Sequence, residues 1–211
     1  MATNLPAVRV TALFLDVGGV MGTNGWDRRQ REAAAKKFGL DLDELNDRHR
    51  MTFDTYESGK LSLEEYLKRT VFCRDQPFTM EQFRAFMFEQ SVPYPEMIDL
   101  VKGLKARYGL KIAVVNNEGR ELNEYRIKAF GLNEFVDFFI SSCFVHFRKP
   151  DADIWKIALD IAQVPREEVV YNDDRPMFVQ IAQGLGLRGI AHKKDNVGQT
   201  RQQLASMGLS L

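Results

Sequence analysis

The strongest constraint in this sequence is an alternation that runs through most of its length. Short, almost wholly apolar runs at residues 8–16, Lys111–Asn116, 135–141, 169–172 and 187–191 alternate with segments at 96–108, 120–130, 153–163 and 176–185 whose apolar residues recur at helical spacing. A strand that is apolar on both faces must be covered on both faces. Strand, helix and strand in series therefore predict an α/β fold: a Rossmann-like parallel sheet with helices on either side.

The alternation breaks once. Between Gly22 and about Tyr94 only helical signals occur. Ser62-Leu63-Glu64-Glu65 and Thr79-Met80-Glu81-Gln82 have the spacing of capping boxes. Phe83, Phe86 and Met87 follow on one helical face and are read as core. Ser91-Val92-Pro93-Tyr94-Pro95 reads as a linker. The expected organisation is a core domain of residues 1–21 and 95–211, with a helical domain of residues 22–94 inserted after the first strand.

Composition excludes several classes. Of 211 residues, 45% are hydrophobic and 27% charged, which suits a folded globular chain. Lys and Arg number 29, as do Asp and Glu, so no basic excess is available to hold a nucleic acid or an anionic membrane. The apolar run in residues 12–15 is cut by Asp16, and neither a signal peptide nor a spanning segment is read. Two cysteines, Cys73 and Cys143, are too few for a disulfide framework and are expected to be buried free thiols. A cytoplasmic setting is expected, and the oligomeric state is left open.

In open parallel sheets, ligands bind beyond the carboxyl ends of the strands. Asp16 ends the first predicted strand, Asn116 and Asn117 the second, and Asp173 and Asp174 the fourth; Lys149 follows the third. Each residue alone is an ordinary turn former or helix cap. Together, three carboxylates, two amides and one ammonium converge from four strand ends on one edge.

The residues at that edge carry a resemblance. Leu13-Phe14-Leu15-Asp16-Val17-Gly18-Gly19-Val20 resembles the first motif of the haloacid dehalogenase-like superfamily. Arg148-Lys149-Pro150-Asp151, with Ile154, resembles its third motif, and Tyr171-Asn172-Asp173-Asp174, with Ala182 and Leu185-Gly186, its fourth. Tyr56-Glu57-Ser58-Gly59-Lys60-Leu61-Ser62 is similar to a stretch of the small helical cap domains in this group. The resemblance implies a phosphatase-like hydrolase in which Asp16 forms an aspartyl-phosphate. It assigns Mg2+ to Asp16, the Gly18 carbonyl, Asp173 and Asp174, with Asp174 nearest the metal. Lys149 would supply fixed positive charge to Asp16 and the phosphate. Gly18, Gly19, Asn116, Asn117 and Lys149 would bind the phosphate of a small phosphorylated substrate, and residues 22–94 would form the cap that carries specificity.

Two positions depart from that pattern. Most phosphatases of the family carry a second Asp, a general acid, where this chain has Gly18. Loss of such a group typically costs about 10²–10⁴-fold in rate. The second motif normally ends in Ser or Thr, where this chain has Asn116. Glu57, His49 and Asp27 are candidate replacement acids. His49, flanked by Arg48 and Arg50, is otherwise read as part of a solvated helix face, His146 as a loop histidine, and Trp155 as packing. Trp26 and Glu57 are candidates for the cleft. Two alternatives accompany the phosphatase reading: a degenerate relative that binds a phosphorylated ligand or a partner, and, ranked last, a dehalogenase. The last needs no metal and leaves Asp173 and Asp174 without a role.

Overall fold

The computed structural model describes residues 9–194 and 196–211. Val8, which opens the first apolar run, lies outside the described residues. Each apolar run yields one strand: β1 (Ala12–Leu15), β2 (Lys111–Asn116), β3 (Phe138–Ser141), β4 (Val169–Asp173) and β5 (Arg188–Ala191). They form one parallel sheet in the order β3-β2-β1-β4-β5, with β1 at its centre.

Side chains alternate across the sheet. Leu13, Leu15, Ile112, Val114 and Val170 bury one face under α5 (Pro95–Tyr108) and α10 (Val197–Ser206), through Met97, Val101, Leu104 and Leu204. Ala12, Phe14, Ala113, Val115 and Tyr171 bury the other under α8 (Asp153–Ala162) and α9 (Pro176–Gly184). Trp155 packs edge-on against Tyr171 in this layer, as expected of a packing residue. The remaining core helices are α6 (Arg120–Ala129) and the single turn α7 (Ser142–Val145).

Residues 28–89 fold into four helices: α1 (Arg28–Phe38), α2 (Leu42–Glu57), α3 (Leu63–Thr70) and α4 (Met80–Glu89). Both capping boxes form, Ser62 with Glu65 and Thr79 with Gln82. Phe83, Phe86 and Met87 are buried with Trp26, Tyr56, Tyr66 and Leu67 in a third apolar cluster, so the stripe is core. The chain leaves and rejoins the sheet side by side: Thr23 N–H donates to Val92 O at 2.9 Å, and Tyr94 N–H to Met21 O at 2.8 Å. A Cβ on Gly22 would stand 2.5 Å from the Phe130 ring, so the crossing requires glycine.

Burial of both thiols is corrected for one of them. Cys143 is buried, but Cys73 is exposed, because it lies beyond the end of α3 beside Arg74 and Asp75 rather than on a helix face. Among the described residues no helix is long and apolar enough to cross a membrane.

Candidate active site

Because β1 is central, the chain beyond it emerges between the ends of β2 and β4. Asp16 N–H donates to Asn172 O at 2.9 Å, extending the β1–β4 ladder by one residue. The chain then turns tightly: Gly19 N–H donates to Gly22 O at 2.7 Å, and Met21 N–H to Val17 O at 3.0 Å. Gly19 has φ +75°, and a Cβ there would lie far inside contact distance of the Asp174 Oδ2. Only glycine lets the turn pass so close to the end of β4. Oxygens of Asp16, Asp173 and Asp174 consequently lie within 4.8 Å of one another.

Lys149 enters this cluster from the loop between α7 and α8. It is 1% exposed, and its Nζ lies 2.6 Å from Asp173 Oδ2 and 3.1 Å from Asp16 Oδ1. Asn117 fixes the lysine backbone with both amide atoms: Nδ2 donates to Lys149 O and Oδ1 accepts from Lys149 N–H, each at 2.8 Å. Asp173 is wholly buried and fully engaged. Its Oδ2 accepts from Lys149 and from the Tyr171 hydroxyl, and its Oδ1 from Arg175 N–H at 2.8 Å.

Charge is out of balance here. Burial is the main influence on Asp16, and with Asp173 and Asp174 it outweighs the pull of Lys149, raising the carboxyl to about 7. Burial alone would lower Lys149, but Asp16 and Asp173 outweigh it and hold the ammonium above its ordinary value. Besides Lys149, the half-exposed Lys194 reaches Asp174 Oδ2 at 3.5 Å. Three carboxylates against one buried ammonium leave a surplus of negative charge on oxygen donors, which fits a hard divalent cation. Asp16 and Asp174 border the open cavity and would ligate directly, whereas Asp173 has both oxygens committed behind them.

The cavity measures about 430 Å³ and lies between this edge and the inner sides of α1 and α2. Asp16, Gly18, Asn117, Lys149 and Asp174 line it. Gly19 and Asn116 do not. The Gly19 N–H is used within its own turn, and the Asn116 amide donates to Asn123 Oδ1 at 3.0 Å, toward α6. Beside Gly18 lies Asn24, whose Oδ1 is 3.0 Å from where a Cβ on residue 18 would be.

Trp26 and Glu57 line the cavity, as their candidacy required. His49 lines it too, which corrects the solvated-face reading: its Nδ1 meets the Tyr66 hydroxyl at 2.8 Å. That hydroxyl accepts from Trp26 Nε1–H and has its own hydrogen to give to Nδ1, the pairing in which the neutral ring carries its hydrogen on Nε2. Burial, helped by Arg31, lowers His49 to about 3. His146 is exposed and bonds Ser58 O at 2.7 Å. Several residues of the cavity had no sequence signal of their own: Asn24, Arg31, and the buried pair Glu118 and Arg126; Arg148, part of the third-motif stretch but given no role there, holds Glu57 at 2.7 Å and also pairs with Asp54.

The haloacid dehalogenase-like hydrolase family matches residues 11–186, a span that includes every strand but β5 and the whole acidic cluster. The chain belongs to this family. A family relative in Caldanaerobacter subterraneus subsp. tengcongensis, bearing the name pyrophosphatase PpaX, is 32% identical over 126 residues, covering 58% of this chain and 57% of the relative. The chain thus spans little more than half of that curated relative. Among solved structures, the family enzyme bt-2542 of Bacteroides thetaiotaomicron, a magnesium complex, superposes with a TM-score of 0.74 at 20% identity, covering 91% of this chain and 98% of that one. The L-2-haloacid dehalogenase PA0810 superposes with a TM-score of 0.61 at 20% identity, over 85% and 82% of the two chains. At such identities these likenesses establish the haloacid dehalogenase-like fold.

Proposed function

We propose that this chain is a magnesium-dependent phosphatase acting on a small phosphorylated metabolite through an aspartyl-phosphate on Asp16. The observation that carries the reading is the excess of carboxylate at the end of β1 and β4, with Lys149 locked between Asp16 and Asp173. A dehalogenase has no use for that excess. The Bacteroides family enzyme binds magnesium and inorganic phosphate together, and the curated relative is named for hydrolysis of a phosphoanhydride; both support phosphoryl-group chemistry.

Magnesium, when bound, would offset the repulsion between Asp16 and the phosphoryl oxygens and stabilise charge developing on them. Asp16, Asp174 and the Gly18 carbonyl are the residues to hold it, with Asp173 behind. One Asp16 oxygen attacks phosphorus, and the bond from phosphorus to the ester oxygen breaks. The departing oxygen takes up a proton. A water oxygen then attacks the same phosphorus, the bond to Asp16 breaks, and inorganic phosphate leaves while one proton passes to solvent. Lys149 keeps Asp16 aligned and its charge offset throughout, and Asn117 holds Lys149. The helices of residues 22–94 act as a cap that covers the cavity and selects the substrate.

The proton for the departing oxygen has no donor on the β1 turn, because Gly18 carries no side chain and the amide of Asn24 fills the adjoining space. His49 stays neutral down to about pH 3 and is a poor acid. Glu57 lines the cavity, and burial pushes its carboxyl up against the pull of Arg148, which makes it the candidate donor. The vacancy at Gly18 also favours a second reading, in which the chain binds a phosphorylated ligand without turning it over.

The test is phosphate release from a panel of phosphate esters, with and without magnesium, beside calorimetric titration of magnesium into the wild type and Asp174→Ala. Metal-dependent release, with weaker magnesium binding in the variant, is expected. No release from any ester, with magnesium binding intact, would favour the second reading. Equal magnesium affinity in both proteins would remove Asp174 from the metal site.

A further inference from the structure

The cavity holds a second cationic centre, away from the acidic cluster. Arg31 lies on α1, is only 9% exposed, and lines the cavity wall. Its partners are neutral: Nε donates to Asn46 Oδ1 at 2.8 Å and Nη1 to Trp26 O at 3.0 Å. The other cations of the cavity are differently placed. Arg126 is paired with Glu118, Arg148 with Glu57, Lys149 with Asp16, and Arg28 with Glu32, while Arg175 sits exposed at the rim over Phe178. Arg31 is thus the buried cation of this cavity that has no carboxylate partner among the described residues.

Asp27 and Glu32 act on Arg31 from beyond contact distance, and burial outweighs them; a buried guanidinium with no carboxylate in contact is suited to an incoming anion. Two bonds orient the Arg31 fork and leave Nη2 and one Nη1 hydrogen free to donate. His49 adds a neutral ring to the same cavity, and in the tautomer whose Nδ1 accepts from Tyr66 it brings an Nε2–H donor without a competing charge. The cavity carboxylates have other contacts: Asp27 caps α1 and accepts from Asn24, and Glu57 and Glu118 hold arginines. The cavity therefore offers charge to a phosphoryl group at Asp16 and, on α1, a second buried positive site with no carboxylate in contact among the described residues.

We propose that the substrate carries a second oxyanion, a carboxylate or another phosphate, on a short skeleton, and that Arg31 binds it, with His49 as a neutral donor beside it. This rests on the phosphatase reading for the end at Asp16, and it deepens that reading by naming the substrate class. Charge-assisted hydrogen bonds in a partly dry site are worth at least a factor of ten in affinity.

The test uses phosphonates, which bind but cannot be cleaved, so it is read whether or not the protein turns over esters. With magnesium present, calorimetry compares n-alkylphosphonates with ω-carboxyalkylphosphonates and alkylene bisphosphonates of two to four carbons. The wild type should bind one doubly anionic series at least tenfold tighter than its methyl-ended counterpart, and which series does so identifies the oxyanion. Arg31→Gln should abolish that preference while weakening the methyl-ended ligand much less. Arg31→Lys, which keeps the charge but loses the fork, should shrink it at least threefold and serves if the Gln variant does not fold. The proposal is overturned if the wild type shows no preference, binds none of the phosphonates, or keeps its preference when Arg31 is changed. Hydrolysis of 4-nitrophenyl phosphate, measured in parallel, reports on the phosphatase reading alone.

Discussion

The pair Glu118–Arg126 sets two buried charges against each other where the chain leaving β1 meets α6. Arg126 is 2% and Glu118 7% exposed, with Nη1 and Oε2 2.7 Å apart. At an effective dielectric of about 20, that separation gives roughly 6 kcal/mol of gross attraction. Burial nevertheless has the larger influence on Glu118 and pushes its carboxyl up despite Arg126. Desolvation therefore wins, and the pair contributes little net stability, although either half alone is expensive. Arg126→Met should cost about 3–5 kcal/mol, because it strands Glu118 and also removes the bond from Nη2 to Thr23 O. Glu118→Leu alone should cost a similar amount. The double variant, with no stranded charge, should cost at most about 2 kcal/mol, the worth of the Thr23 bond and the stacking on Phe130. Urea unfolding of all four proteins at pH 7.5 measures these values. In Arg126→Met the folded-state pKa of Glu118 rises further above its unfolded value, so the deficit should shrink at pH 5 relative to pH 7.5. A double variant as unstable as the sum of the singles would refute the reasoning.

Three further outcomes are expected. A Cβ on Gly119 would fall within the ring of Tyr56, itself buried and stacked on Tyr66, so Gly119→Ala should lose about 1–3 kcal/mol; an unchanged melting temperature would contradict the close approach. His49, lowered to about 3 by burial, charges in the unfolded chain near pH 6.5 but not in the folded one; stability should therefore fall as pH drops from 6.5 toward 3, by at most about 1.4 kcal/mol per pH unit from this group, and His49→Gln should show a shallower fall in thermal melts. Gly18 is not at positive φ, so Gly18→Asp displaces only the Asn24 amide; it should raise kcat/KM for alkyl phosphates more than for aryl phosphates, and an equal effect on both would show that the departing oxygen already has its proton donor.

The sheet was legible because its strands are apolar on both faces, a pattern that no solvent-facing element imitates. Helix α10 was not. It buries little besides Thr200 and Leu204, and its polar stretch gives no period to read. The acidic cluster was legible because strand ends in a parallel sheet share one edge. Which way an amide turns was not: Asn116 goes to Asn123 and Asn117 to the Lys149 backbone, partners set by packing rather than by residue type. His49 shows the opposite case. Its flanking arginines suggested a wet face, yet Leu45, Phe53 and Tyr56 stand one, one and two turns away on the same side of α2, and that period was the better signal.

The central position of β1 has a consequence for how the chain is made. Ala12 pairs with Lys111 on one side and Val169 on the other, so the strand of this sheet that is made first waits for partners from far along the chain. Until β4 arrives, Ala12–Leu15 has an open, wholly apolar edge, the kind of edge along which unfinished chains pair with one another. The helices of residues 28–89 bury their aromatic side chains largely among themselves, so they can settle early beside that edge. Asp16 meets Asp173 and Asp174 only when the end of β4 docks. A nascent chain interrupted before that point carries Asp16 and Lys149 but lacks the rest of the acidic cluster.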